Sequence, residues 1–236
     1  MSTILEDIKK KGYWKIRIIP GSARQDRFSM SKLRDLIGVC KVRLRGWDYP
    51  HLDPEHTRNF SEYLQSYCQF LEHYEIWRFY KSGQFIHYFS MKEDWIDQIR
   101  IHEILKYYSN ESDIDPDRKG LSILSTLYSL SEIYEFAVRL ASKDVLGSEL
   151  TISIDLFGLT NRQLFFFDSD RDLFYSYISE EEHFSFQRNL NKDDLISSAS
   201  ELALENFLEL LHVFQWNDPS LDLFQEEQRK FLQRRL

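Results

Sequence analysis

A chain of 236 residues with 42% hydrophobic and 15% aromatic side chains has enough apolar surface to bury a core, which excludes a disordered segment and removes any need for metal or disulfide staples. The formal charge of −8 is uneven: residues 1–60 hold thirteen Lys/Arg against seven Asp/Glu, an excess of +6 that leaves −14 for the remainder. As a whole the chain is therefore a poor candidate for a nonspecific nucleic-acid binder.

In chain order, Ser2 or Thr3 can cap a short helix over Ile4–Lys10 that Gly12 ends. Tyr13–Ile19 alternates, with Trp14, Ile16 and Ile18 on one face and Lys15 and Arg17 on the other. That period predicts a strand, stopped at Pro20–Gly21. Ser29 or Ser31 opens a short helix around Leu33–Ile37. A second alternating stretch follows, with Cys40, Val42 and Leu44 opposite Lys41, Arg43 and Arg45. Gly46–Glu55 carries Pro50 and Pro54 and reads as loop. Ser82–Gly83 separates Ile76–Tyr80 from Phe85–Phe89, the pattern of a hairpin, with a further strand predicted over Tyr63–Phe70.

Trp95–Tyr108 reads as a helix and Asn110–Gly120 as a polar break. Leu121–Ala141 spaces Leu124, Leu127, Leu130, Tyr134, Ala137 and Val138 at threes and fours, which predicts an amphipathic helix. Strands are expected at Thr151–Phe157 and Gln163–Phe167, joined by a turn at Gly158–Asn161. Asp168–Asp172 then turns into a strand at Phe174–Ile178, and His183–Arg188 adds another. Helices are expected over Leu195–Phe214 and Leu221–Leu236. Without a repeated βαβ unit, the expected fold is α+β: a mostly antiparallel sheet covered by two or three long helices, forming a single domain over residues 1–236 with an internal break near 110–120.

No run approaches the roughly 18 apolar residues of a membrane span. The segment MSTILEDIKKKGY lacks a signal-peptide core, so a cytoplasmic location without membrane contact is expected. Cys40 and Cys68 belong to no CxxC pair and read as reduced, buried thiols.

The motifs of common chemistries are missing. Asp113, Asp115 and Asp117 open like a calcium loop, but Arg118 and Leu124 stand where Gly and a bidentate Glu are required. Asp168, Asp170 and Asp172 fail the same test at Leu173 and Ser179. The histidines have no zinc spacing, and no GxxxxGK[ST], GxGxxG, GxSxG or HExxH occurs. No metal or cofactor is expected. His73 and His87 can meet across the hairpin with Glu75 and Glu93 near them, a group capable of acid–base work. Ordinary sheet-surface histidines are the simpler reading.

Two features point to binding. If the strands at 13–19 and 39–45 are neighbours, Lys15, Arg17, Lys41, Arg43 and Arg45 share one face, answered either by the acidic C-terminal half or by an anionic partner. Trp47 and Tyr49 in RGWDYPH, with Trp77, Arg78 and Tyr80 in WRFYKSGQF, interleave aromatic and basic residues as interface hot spots and base-stacking surfaces do. The same composition also builds ordinary cores.

The segments RGWDYPH and WRFYKSGQF, followed by EDW at Glu93–Trp95, resemble a module of uncharacterised bacterial proteins, similar to one that accompanies Schlafen-like AlbA-type DNA-binding domains. The likeness spans about residues 13–141, including the helix around Glu132–Ala137. It implies a bacterial accessory subunit, with a defence or nucleic-acid-handling system as its setting, and no catalytic residues carry over. The first expectation for function is thus a non-catalytic subunit of a multi-protein complex, holding another protein subunit or a second copy of itself through residues 13–95. The alternatives are a nucleic-acid-binding accessory using the basic face, and a cryptic hydrolase or nuclease built on His51, Asp48 and Asp53 or on His73 and His87.

Overall fold

A computed structural model describes residues 3–22, 26–108, 115–168, 171 and 173–234 of the chain. Helix α1 (Ile4–Lys9) starts at Thr3, whose hydroxyl accepts from the Glu6 amide while Glu6 reaches back to the Thr3 amide. Strand β1 (Tyr13–Pro20) buries every second residue, as its alternation requires. Ser29 caps α2 (Met30–Cys40), and β2 (Arg58–Asn59), β3 (Tyr63–Phe70), β4 (His73–Tyr80) and β5 (Phe85–Ser90) follow. In the turn between β4 and β5, Gly83 has φ +90°, and an added Cβ would stand 2.8 Å from the Val145 carbonyl, so only glycine fits there.

A 3-10 turn at Lys92–Asp94 leads to α3 (Gln98–Tyr107), then β6 (Lys119–Ser122), α4 (Ile123–Ser142), β7 (Glu149–Phe157), β8 (Arg162–Phe165), β9 (Ile178–Ser179), β10 (His183–Asn191), α5 (Lys192–Val213) and α6 (Leu221–Leu232). Seven strands form an antiparallel sheet in the order β10-β7-β1-β5-β4-β3-β2; β6, β8 and β9 make a small second sheet. The fold is α+β, with 38% helix and 28% strand.

One face of the large sheet carries Trp14, Ile16, Ile18, Glu75, Trp77, Phe79, Phe85 and His87, and helices cover it. Phe136 of α4 meets Phe85 at a ring separation of 4.8 Å, and α6 lies on α4 through a stacked Tyr128–Phe231 pair at 4.3 Å. One buried apolar cluster runs from Trp14 to Phe231. A polar node joins the two sheets: Arg162, fully buried, forms two 2.8 Å contacts with Asp94, donates to the carbonyls of Gly120 and Gly158, and leaves Asp94 to accept from the Gly12 amide.

Several expectations need correction. Cys40 closes α2, and residues 41–45 are loop with only Val42 bridged to Tyr49, so the strand expected at 39–45 does not form. The apolar spacing Leu33, Leu36, Ile37 and Cys40 continues a helix, and this overrides the alternation that begins at Cys40. Phe174–Tyr177 is not a strand either; only Ile178–Ser179 pairs, and Phe174 is 88% exposed. Lys119 and Gly120, expected in a polar break, begin β6. Ser2, Asn110, Asp113, Asp170, Asp172 and Leu236 lie outside the described residues.

Candidate functional site

A cavity of about 400 Å³ lies between the inner face of the large sheet, the loop after α2, the 3-10 turn and α4. Its size falls in the range of small-molecule sites. Trp14, Phe89, His87 and Glu75 form its floor, Arg45 to Tyr49 one wall, Met91 to Glu93 a second, and Thr126, Ser129 and Glu132 of α4 a third.

The floor follows from strand registry. Glu75 and His87 are inner-face residues on neighbouring strands, offset by one pair, because Glu75 stands opposite Phe89 and His87 opposite Trp77. The Glu75 carboxylate accepts from Trp47 Nε1 at 2.8 Å and from the His51 amide at 3.2 Å. It also stands 2.8 Å from His87 Nε2, an ion-pair distance at which the ring N–H direction misses hydrogen-bond alignment. Burial pushes the Glu75 pKa up, but the His87 ring, the indole N–H and the His51 amide outweigh it, so the pKa lies below the usual Glu value. Trp47 itself is clamped between the rings of His51 and His73, at 4.1 and 4.2 Å.

The α4 wall carries a second carboxylate. Glu132 accepts from Arg45 Nε at 3.2 Å and from Arg45 Nη2, which also donates to Ser129 Oγ at 3.2 Å. Burial nevertheless raises the Glu132 pKa against the pull of Arg45. The third is Glu93, which accepts from the Ser122 amide at 3.2 Å and whose pKa is raised by burial, against the pull of Lys92 and Arg162. Lys92 beside it has a pKa lowered by burial, and its ammonium lies 5.1 Å from the centre of the Phe167 ring. No ion pair within 4 Å involves Lys92 among the described residues.

Two polar groups of the lining are incompletely paired. The Tyr49 hydroxyl makes no hydrogen bond although the residue is only 7% exposed, and His87, 1% exposed, meets Glu75 through Nε2 while its Nδ1 is unbonded. Such orphans are rare in folded interiors and carry a desolvation cost unless a further molecule meets them.

The residues singled out in the sequence divide sharply. Arg45, Trp47 and Tyr49 line the cavity, together with His73, His87, Glu75 and Glu93 from the hairpin grouping. The basic row does not assemble. Lys15 and Arg17 lie on the outer face of β1, where Arg17 donates to Ser153 at 2.8 Å and stands 3.8 Å from Asp155. Lys41 and Arg43 both meet Asp48, at 2.5 and 3.2 Å, and of the five only Arg43 is exposed. Trp77 is fully buried, donating to the His51 carbonyl at 2.6 Å, while Arg78 and Tyr80 are half-buried outer-face neighbours of Gln65 and Tyr63. His51, Asp48 and Asp53 do not converge, because Asp48 pairs with Lys41 and Asp53 with His56 at 2.8 Å. Sequence reasoning missed Glu132 and Lys92. A usable signal existed for Glu132, which sits four residues from both Tyr128 and Phe136 on the buried stripe of α4.

Among the described residues no group of three or more His, Cys, Asp or Glu could hold a metal ion, and no helix is long and apolar enough to cross a membrane. Together, fold and site define an α+β protein built around an aromatic, carboxylate-lined cavity. Comparison with protein-family models, curated proteins and solved structures finds no match.

Proposed function

We propose that this chain is a small-molecule-binding protein whose ligand occupies the cavity between the sheet and α4. One observation carries the reading: a ligand-sized space of about 400 Å³ is lined by aromatic rings and by the carboxylates of Glu75, Glu93 and Glu132.

Gly46 provides the test. It lines the cavity, is exposed, and a Cβ built on it meets nothing within 4 Å, so Gly46→Trp sets a bulky ring at the cavity edge without a clash at Cβ. A thermal-shift screen against a metabolite library should find ligands that stabilise the parent protein, and the shift should vanish in Gly46→Trp while the unliganded melting temperature holds. Shifts that persist in the plugged variant, or a library with no stabilising compound, would count against the reading.

A second reading, the accessory subunit of a protein assembly, draws on a different observation. Phe174 and Tyr175 are 88% and 67% exposed, two consecutive aromatic side chains of the kind found at interface hot spots. Affinity purification from the native host with the parent and with Phe174→Asp tests it. A partner retained by the parent and lost from the variant supports it, and equal recovery by both contradicts it.

A further inference from the structure

We infer that the cavity is built for a small organic cation bearing N–H donors, an amine or guanidinium compound rather than an anion or a quaternary ammonium. This rests on the reading of the cavity as a ligand site and adds the chemistry of its occupant.

Charge gives the first argument. Five carboxylates line the space, from Asp48, Glu72, Glu75, Glu93 and Glu132, against two basic side chains, Arg45 and Lys92. Acidic side chains therefore outnumber basic ones around the space. Arg45 is already committed to Glu132, and Asp48 to Lys41 and Arg43, so the uncompensated demand centres on the floor and the 3-10 turn. Field lines in a cleft with low-dielectric walls concentrate such an excess.

The walls give the second argument. Trp14, Tyr49 and Phe89 line the same space, and ring faces attract cations. Aromatic walls alone would suit a quaternary ammonium equally well. Carboxylates accept hydrogen bonds and donate none, and among the described residues no side chain donates to Glu93, which accepts from backbone amides such as that of Ser122. Its remaining lone pairs call for N–H groups on the ligand. Burial raises the Glu93 pKa, the sign of a carboxyl that lacks a sufficient counter-charge.

The experiment is a thermal-shift and calorimetric titration of the full chain with four probes: agmatine, choline, sodium acetate and inorganic phosphate. Agmatine should raise the melting temperature by about 3–6 °C at a tenfold excess over its Kd, with choline weaker and both anions without effect. Glu93→Gln should weaken agmatine about tenfold, and Gly46→Trp should abolish its binding. Stabilisation by acetate or phosphate without agmatine would overturn the cation assignment while leaving a ligand site in place. Equal binding of choline and agmatine would overturn the requirement for N–H donors. An agmatine shift that survives Gly46→Trp, or no response to agmatine at all, would also overturn the inference. A library ligand of other chemistry, blocked by the plug, would then preserve the cavity reading alone.

Discussion

Glu75 Oε2 stands 2.8 Å from His87 Nε2 on the buried face of the sheet, with the indole of Trp47 and the amide of His51 donating to the same carboxylate. This arrangement makes Glu75 the one cavity carboxyl among Glu75, Glu93 and Glu132 whose pKa is lowered; burial raises the other two. Three buried acids in one cavity therefore have opposite consequences for stability.

Glu75→Gln and Glu93→Gln should move the melting temperature in opposite directions at pH 7. Glutamine at 75 presents an amide nitrogen where the carboxylate accepted from its neighbours, leaving a buried donor unpaired at a cost of about 1–3 kcal/mol. Glutamine at 93 keeps an oxygen for the Ser122 amide and removes a desolvated charge, so that variant should match or exceed the parent. Differential scanning calorimetry of the two variants without ligand distinguishes the effects.

The pH dependence has a definite sign for each group. A lowered folded-state pKa means that Glu75 stabilises above the unfolded value of roughly 4.3, and the contribution is lost as pH falls through the lower folded value. For Glu93 and Glu132 the folded pKa is raised, so their contribution is complete below roughly 4.3 and is lost as pH rises through the folded value. Urea melts across pH 4–8 should therefore show Glu93→Gln gaining on the parent as pH rises, and Glu75→Gln losing most above the unfolded pKa.

Removing the node between the sheets should be costly. Arg162→Met leaves Asp94 buried with one backbone donor, Gly12, and strips hydrogen bonds from two carbonyls, an expected loss of about 3–5 kcal/mol. Arg162→Lys should recover little, because an ammonium cannot make the paired contact with both Asp94 oxygens. Chemical denaturation measures both. A loss below 1 kcal/mol in Arg162→Met would show that the node does not join the sheets energetically.

Cys68 should be inert in the native state. It is 3% exposed, and burial, with Glu75 and Asp53 nearby, pushes its thiol up to about 12. Cys40 is fully buried as well, its pKa raised by burial. A disulfide-exchange reagent at pH 8 should titrate no thiol in the folded protein and two after unfolding.

Much of the fold was legible because its strands and helices keep clean periods. The alternation over Tyr13–Ile19, the hairpin around Gly83 and the apolar stripe of Leu121–Ala141 each reappear as elements with nearly the expected limits. The run from Cys40 to Arg45 misled because six residues can alternate by chance while the preceding helix decides where their chain goes. That error carried the basic face with it. Arg17, Lys41, Arg43 and Arg45 each meet a carboxylate of the same chain, one of them Glu132, 87 residues from Arg45. The cavity was half legible: the grouping of His73, His87, Glu75 and Glu93 came from hairpin registry, a local property. Arg45 and Glu132 join it only through α4 packing on the sheet, which spacing along the chain does not encode.

The most direct measurement is a crystal structure of the parent protein soaked with agmatine at neutral pH. Continuous density should fill the space between Glu75 and Glu93, with a ligand nitrogen within about 3 Å of a carboxylate oxygen. A cavity that stays clear while the ligand sits elsewhere, or one that is collapsed with Tyr49 and His87 bonded to other side chains, would contradict the account.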